Sequence, residues 1–238
     1  MIQPSSEKAW VSLCYDGGLL DHLETALIQL NQFELRGSFG VPTEELLENA
    51  SDWRKASEAG HELMQGVLLN PAPGPETTLA DVREDLLDAE ELLRDLRGGS
   101  SPSTVALPWA SQTGHDYAAL STELAGRYCA IRTGIEGFNP FDPSRALRLK
   151  IFPCDEANGR ELMRIARRAI AERKWCIFAF QGIGVGEPSV DVRAHLELCA
   201  FLANSLEIVE VEPVETFVQM LENKRNLESP LPPGGLFL

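Results

Sequence analysis

Short apolar runs alternate with helix-like periodicity along the whole chain, and this alternation limits the folds that the chain can adopt. Such alternation predicts a mostly parallel sheet with helices packed outside it. At most eight strands are predicted: WVSLCY (10–15), GSFGV (37–41), ELMQGV (62–67), TVAL (104–107), YCAIR (128–132), LRLKIF (147–152), WCIFAF (175–180) and LEIVEV (206–211).

Helical patterns lie between these runs. Leucines at 20, 23, 27 and 30 form one apolar face, and later helices are predicted near 113–125, 157–173, 190–204 and 213–224. A (β/α) barrel and a doubly wound sheet both fit this order, and both place the functional site at the C-terminal ends of the strands. The residues that follow each predicted strand are therefore the candidates for a site.

The length of 238 residues, 44% of them hydrophobic, predicts one large α/β domain over residues 1–227. The tail ESPLPPGGLFL, 228–238, is rich in proline and ends in apolar residues. It is expected either to dock on its own domain or be disordered, or else to bind another subunit in a homo-oligomer.

Charge and cysteine content exclude several classes of function. The formal net charge of -15 argues against nucleic acid as a partner, because phosphates would be repelled. Without a secretory signal or a long apolar run, the chain is expected to be cytoplasmic and not membrane-bound. Five widely spaced cysteines predict free, mostly buried thiols rather than a zinc cluster.

Five segments, in order, resemble the motifs of the polysaccharide deacetylases of carbohydrate esterase family 4. VSLCYDGG (11–18) resembles the first motif, T-F-D-D-G, and ELRGSFGV (34–41) resembles the second strand. AGHELMQGVLLNP (59–71) resembles G-H-E-I-G-N-H-T-Y-S-H-P, TVALPWA (104–110) resembles the R-x-P-Y stretch, and FAFQGIGVGE (178–187) resembles the strand that ends in L-x-H-G. The resemblance implies a distorted (β/α) barrel of seven or eight mostly parallel strands.

The same resemblance implies that the usual metal site has been replaced. Asp16 matches the general base, while Gly17, Gly66 and Asn70 stand where the family has its metal-binding aspartate and two histidines. Gln181 matches the histidine that acts as general acid. Ala106 and Pro108 match the arginine and proline of the R-x-P-Y motif.

Such replacements would abolish the family's chemistry. A catalytic zinc needs about three protein ligands, and without the ion the pKa of the attacking water is not lowered. The sequence therefore predicts a pseudoenzyme-like member with no metal and no cofactor. The expected ligand is a small polar or carbohydrate-like molecule, bound in the strand-end cleft by Asp16, Asn70, Trp109, Arg132 and Gln181.

Two alternatives stay open. The chain could be a hydrolase that acts on C–N or ester bonds of an acylated sugar-like substrate, with Asp16 as base. It could instead be a scaffold or assembly protein. Asp16 could also serve only to accept hydrogen bonds from the next helix, and Arg132 could pair with Asp16, hold an anionic ligand or form a salt bridge at the rim.

Overall fold

Seven parallel strands close into a barrel in the computed structural model of the protein, which describes residues 8–66, 79–107, 122–155, 157–186 and 188–228. In barrel order these are β1 (Ala9–Asp16), β2 (Ser38–Val41), β3 (Glu62–Gly66), β4 (Thr104–Leu107), β5 (Ala130–Glu136), β6 (Leu149–Pro153) and β7 (Trp175–Phe180). Strands β1 and β7 pair from Trp10–Trp175 to Tyr15–Phe180, which closes the barrel. The predicted (β/α) barrel is confirmed.

Three further strands are short. Residues Gly182–Ile183 (β8) and Ser189–Val190 (β9) form a small parallel pair beyond the end of β7. The last strand, β10 (Val209–Val211), pairs with the start of β1 on the edge opposite β7, where β2 pairs further along, and brings the main sheet to eight strands.

Helices surround the barrel, mostly in the connections that the sequence pattern predicts. They are a π-helical turn (His22–Ala26), α1 (Leu27–Gln32), α2 (Thr43–Glu48), α3 (Ala50–Glu58), α4 (Leu79–Leu96), a 3-10 helix (Pro143–Arg148), α5 (Gly159–Glu172), α6 (Val192–Ala203) and α7 (Val214–Glu228). The helix predicted near 113–125 lies largely outside the described residues. So does the predicted tail 228–238, of which only Glu228 is described, as the last residue of α7. In the described ranges, no helix is long and apolar enough to cross a membrane.

Alternate residues of β1 and β7 enter two different hydrophobic clusters, because successive side chains point to opposite faces of the sheet. On β1, Leu13 and Tyr15 pack outward against the helices, whereas Trp10 and Cys14 pack inside the barrel. Four of the five cysteines are buried, Cys129 is exposed, and all five are free thiols, as predicted.

Helix α7 closes the N-terminal end of the barrel. The Phe217 ring stacks on Trp10 with centroids 4.3 Å apart and meets Trp175 edge-on. Phe217 is fully buried, and burial of a side chain of this size contributes about 1.5–3 kcal/mol. The opposite, C-terminal end of the strands is where the predicted site residues lie.

Candidate functional site

Asp16 is the last residue of β1, and its carboxylate points into the barrel mouth. The side chain is 9% exposed and accepts a hydrogen bond from the Nη2 of Arg132, with which it forms a buried ion pair. Within the described chain, the hydrogen-bond partner of Asp16 is this arginine rather than the N-terminus of the next helix. Of the two structural roles considered for Asp16, the ion pair is the one observed.

Arg132 lies inside the barrel wall and not at its rim. The sequence pattern ends the fifth strand at residue 132, but β5 continues to Glu136 through a shift of its register with β6. Arg132 is consequently in mid-strand and fully buried. The prediction that this strand ends at Arg132, and the alternative of a salt bridge at the rim, are therefore wrong.

The environment of Arg132 keeps its guanidinium group protonated. Burial is the largest single influence and lowers the pKa of the guanidinium, but the charge and hydrogen bond of Asp16, together with Cys14 and Glu62, raise it more, so the pKa lies above its ordinary value. The Nε and Nη1 atoms of Arg132 are buried and have no hydrogen-bond partner in the described part of the chain. Unpaired buried donors are costly, so these two atoms are open polar groups beside Asp16.

Three glycines shape the mouth of the barrel beside Asp16. Gly17 has φ of 107°, a conformation that residues with a side chain rarely adopt, and its N–H donates to the Gly40 carbonyl at 3.0 Å. A Cβ at Gly66 would lie 2.7 Å from the carbonyl carbon of Gly40 and 2.9 Å from the Val41 nitrogen. The two strands approach so closely that position 66 has no room for a side chain.

Gln181 follows β7 directly and is exposed. Its backbone is fixed on both sides: its N–H donates to Asp155 Oδ1 at 2.9 Å, and its carbonyl lies 2.5 Å from His22 Nε2. Burial lowers the pKa of His22, so the neutral imidazole donates this bond. Asn70 and Trp109, the other two predicted ligand-binding residues, lie outside the described residues, as does Pro108.

A second buried polar cluster, which the sequence analysis missed, lies at the opposite end of the barrel. The carboxylate of Glu62 accepts hydrogen bonds from Ser38 at 2.6 Å, from Thr104, and from the Glu215 N–H at 3.1 Å. Burial, and then the neighbouring carboxylate of Glu215, raise the pKa of Glu62 to about 7. An acid at an inward-facing strand position is the sequence signal that could have identified this cluster.

The described residues do not fit a metal centre of the family's kind. No group of three or more His, Cys, Asp or Glu side chains that could hold an ion occurs in those parts of the chain. Cys14 faces the interior near Arg132, but burial raises its pKa far above the ordinary value, so it remains a thiol. In the described residues, Asp16 is thus a single carboxylate whose charge is balanced by the guanidinium of Arg132.

Comparison with solved structures assigns the architecture. A putative polysaccharide deacetylase from Mycobacterium smegmatis superimposes over 100% of this chain and 96% of its own, with a TM-score of 0.64 and 14% identity. The chain has the fold of the family 4 deacetylases. The peptidoglycan deacetylase PdaC from Bacillus subtilis matches 95% of this chain and 96% of its own, with a TM-score of 0.62 and 13% identity.

A third similar structure is of a different kind. It is a mutant of BA3943, a family 4 pseudoenzyme with restored enzymatic activity, which covers 89% of this chain and 68% of its own with a TM-score of 0.58 and 13% identity. No known family model matches the sequence, and no curated protein matches it. The deacetylase likeness therefore establishes the fold.

Proposed function

We propose that this chain is a binding protein of deacetylase ancestry, which holds a small polar or carbohydrate-like ligand at the barrel mouth and lacks metal-dependent deacetylation. The observation that carries this proposal is the buried pair of Asp16 and Arg132. The carboxylate that matches the family's base faces a guanidinium, and two of the three positions matched to metal ligands are glycines in constrained backbone.

The backbone supports the loss of metal chemistry independently of residue identity. An aspartate at position 17 would have to adopt φ near 107°, and a histidine at position 66 would overlap the backbone of β2. Both ligands would require the mouth of the barrel to change shape. A catalytic zinc with about three protein ligands is therefore disfavoured by geometry as well as by composition.

The charge and hydrogen-bonding groups of the mouth support a polar, uncharged ligand. The charges of Asp16 and Arg132 neutralise each other, so the pair offers hydrogen bonding without net charge. The open donors Nε and Nη1 of Arg132 would donate hydrogen bonds to ligand oxygen atoms, directly or through ordered water. Asn70, Trp109 and Gln181 would supply amide groups and an apolar ring surface for a sugar.

The test combines metal titration with ligand binding. Chelator-treated protein would be titrated with zinc, cobalt and nickel by calorimetry, and then with the trisaccharide of N-acetylglucosamine while released acetate is measured. We expect no submicromolar metal binding, and saccharide binding without acetate release that is weakened by Trp109→Ala. Asp52→Asn, an exposed aspartate, serves as control for Asp16→Asn. Submicromolar metal binding that depends on Asp16, with acetate release, would overturn the proposal.

One observation favours a second function, a hydrolase of C–N or ester bonds in an acylated sugar-like substrate. The carboxylate that matches the base still faces an arginine, although Ala106 stands at the position that matches the family's arginine. If Asp16 is a base, Asp16→Asn abolishes hydrolysis while the protein stays folded, because the amide oxygen can still accept from Arg132. Loss of folding together with activity would leave Asp16 with only the structural role.

A further inference from the structure

A basic pocket lies on the outer wall of the barrel, beside β5 and β6. Its volume is about 500 Å³, and it is lined by Ile135, Asn139, Pro140, Arg145, Arg148 and Lys150. Leu149 and Ile151 pack inside the barrel, so Lys150 between them faces outward. Residues 137–148 contain the 3-10 helix and a single bridge from Asn139 to Trp175, and Arg145 and Arg148 in this segment are exposed.

The charge of this pocket is opposite to that of the whole protein. Arg145, Arg148 and Lys150 are all exposed, in a chain whose net charge is -15. Neither Arg145 nor Lys150 forms an ion pair with any residue in the described ranges. The acids nearest in sequence are Glu136, at the end of β5, and Asp142, whose carboxylate accepts from the Ser144 N–H at 2.9 Å and caps the 3-10 helix.

The floor of the pocket is held rigidly. The Asn139 side chain donates to the Lys150 carbonyl and accepts from the Lys150 N–H, both at 2.8 Å, while its backbone exchanges hydrogen bonds of 2.8 and 3.1 Å with Trp175. Buried Ala146 anchors the 3-10 helix that carries Arg145. Cationic side chains on a fixed backbone lose less entropy when a ligand binds.

We propose that this pocket binds a small phosphate-bearing molecule. Guanidinium groups bind phosphate oxygens in bidentate fashion, and a lysine adds a mobile point charge. Several cations around one concave site match a multiply charged phosphate better than a single carboxylate. The volume falls within the usual range of small-molecule pockets, about 300–1,000 Å³. A long polyanion would be repelled by the rest of the surface, so the expected ligand is small.

This inference is independent of the proposed function of the barrel mouth, and its test is separate. Pyrophosphate would be titrated into the protein by calorimetry and followed by amide chemical shifts, with malonate as a dicarboxylate of similar size. The double variant Arg145→Gln/Lys150→Gln is expected to bind pyrophosphate at least about tenfold more weakly, a change of about 1.4 kcal/mol. Asp52→Asn, at an exposed aspartate on α3, is expected to leave this affinity unchanged.

The matched control removes two exposed cations elsewhere. Arg160→Gln/Lys174→Gln changes the net charge by the same amount but leaves the pocket intact, so pyrophosphate affinity should stay within about twofold of wild type. Thermal melting of both double variants would establish that they are folded. The proposal is overturned if pyrophosphate does not bind, if both double variants lose affinity equally, or if malonate binds as tightly as pyrophosphate.

Discussion

Ala106 and Arg132 are register partners on the neighbouring strands β4 and β5, and the arginine side chain reaches the carboxylate of Asp16 on β1. In the motif resemblance, Ala106 stands at the position of the arginine that pairs with the base. The positive charge is thus present at the same level of the barrel, but it comes from the next strand. A comparison of motifs alone would record the cation as lost.

Removal of Arg132 is expected to be strongly destabilising. Arg132→Met leaves the carboxylate of Asp16 buried without a partner, which costs about 3–5 kcal/mol of unfolding free energy. Chemical denaturation of Arg132→Met, Asp16→Asn and the double variant would measure the coupling between the two residues. The double variant should regain part of the lost stability.

The matched control for this cycle is an exposed ion pair, Arg127 with Glu90 at 2.8 Å. Arg127→Met should cost less than about 1 kcal/mol, because exposed pairs contribute little. Equal effects at the two arginines would show that burial of the Asp16 pair has no energetic importance.

A histidine at position 66 should destabilise the barrel and should not create a metal ligand. Because a Cβ there overlaps the backbone of Gly40 and Val41, Gly66→His is expected to cost at least about 1–3 kcal/mol. Gly126→His is the control, since a Cβ at Gly126 meets no atom within 4 Å. Thermal or denaturant unfolding of both variants decides the matter, and similar stabilities would contradict the predicted clash.

Restoration of all three family ligands should also fail. The variant Gly17→Asp/Gly66→His/Asn70→His is expected to bind zinc no more tightly than wild type, because position 17 requires φ near 107° and strain of this kind costs about 1–3 kcal/mol. Calorimetric titration with zinc would measure this. Submicromolar zinc binding would contradict this prediction. It would show that the barrel mouth can rearrange and that these substitutions restore the family's metal site.

Glu62 should make the stability of the protein fall as the pH rises. Its folded-state pKa of about 7 lies above its ordinary value of 4.5, so between these two pH values the folded state binds more protons than the unfolded state. The stabilisation that Glu62 gives the folded state is fully present below pH 4.5 and is lost as the pH rises through 7. The total change is roughly 3 kcal/mol.

The difference in unfolding free energy between wild type and Glu62→Gln isolates this contribution. As the pH rises from 4.5 to 7, the unfolding free energy of wild type should fall relative to that of Glu62→Gln. For the exposed control Glu58→Gln, the difference from wild type should stay constant over the same range. The subtraction is necessary because burial lowers the pKa of His195 to about 3, which makes stability rise with pH in an overlapping window. A flat profile for Glu62→Gln would refute the prediction.

The sequence was sufficient to predict the barrel because buried parallel strands appear as short apolar runs, and the order of five motifs indicates one topology. It also singled out Asp16 as the carboxylate at the end of β1. The position of Arg132 was not predictable, because a shift in register extends β5 beyond its apolar part. The cluster around Glu62 escaped notice because its members are far apart in sequence and meet only when the strands close.

The closure of the barrel also constrains the order in which the molecule can assemble. Strand β1 is synthesised first, yet one of its edges pairs with β7, from Trp10–Trp175 onward, and the start of its other edge pairs with β10 through Ala9–Val209. Both pairings must wait until most of the chain exists. Contacts of such long sequence separation form slowly, and an unpaired strand edge can meanwhile pair with another chain. During synthesis, β1 is therefore the strand most in need of protection, for instance by a chaperone.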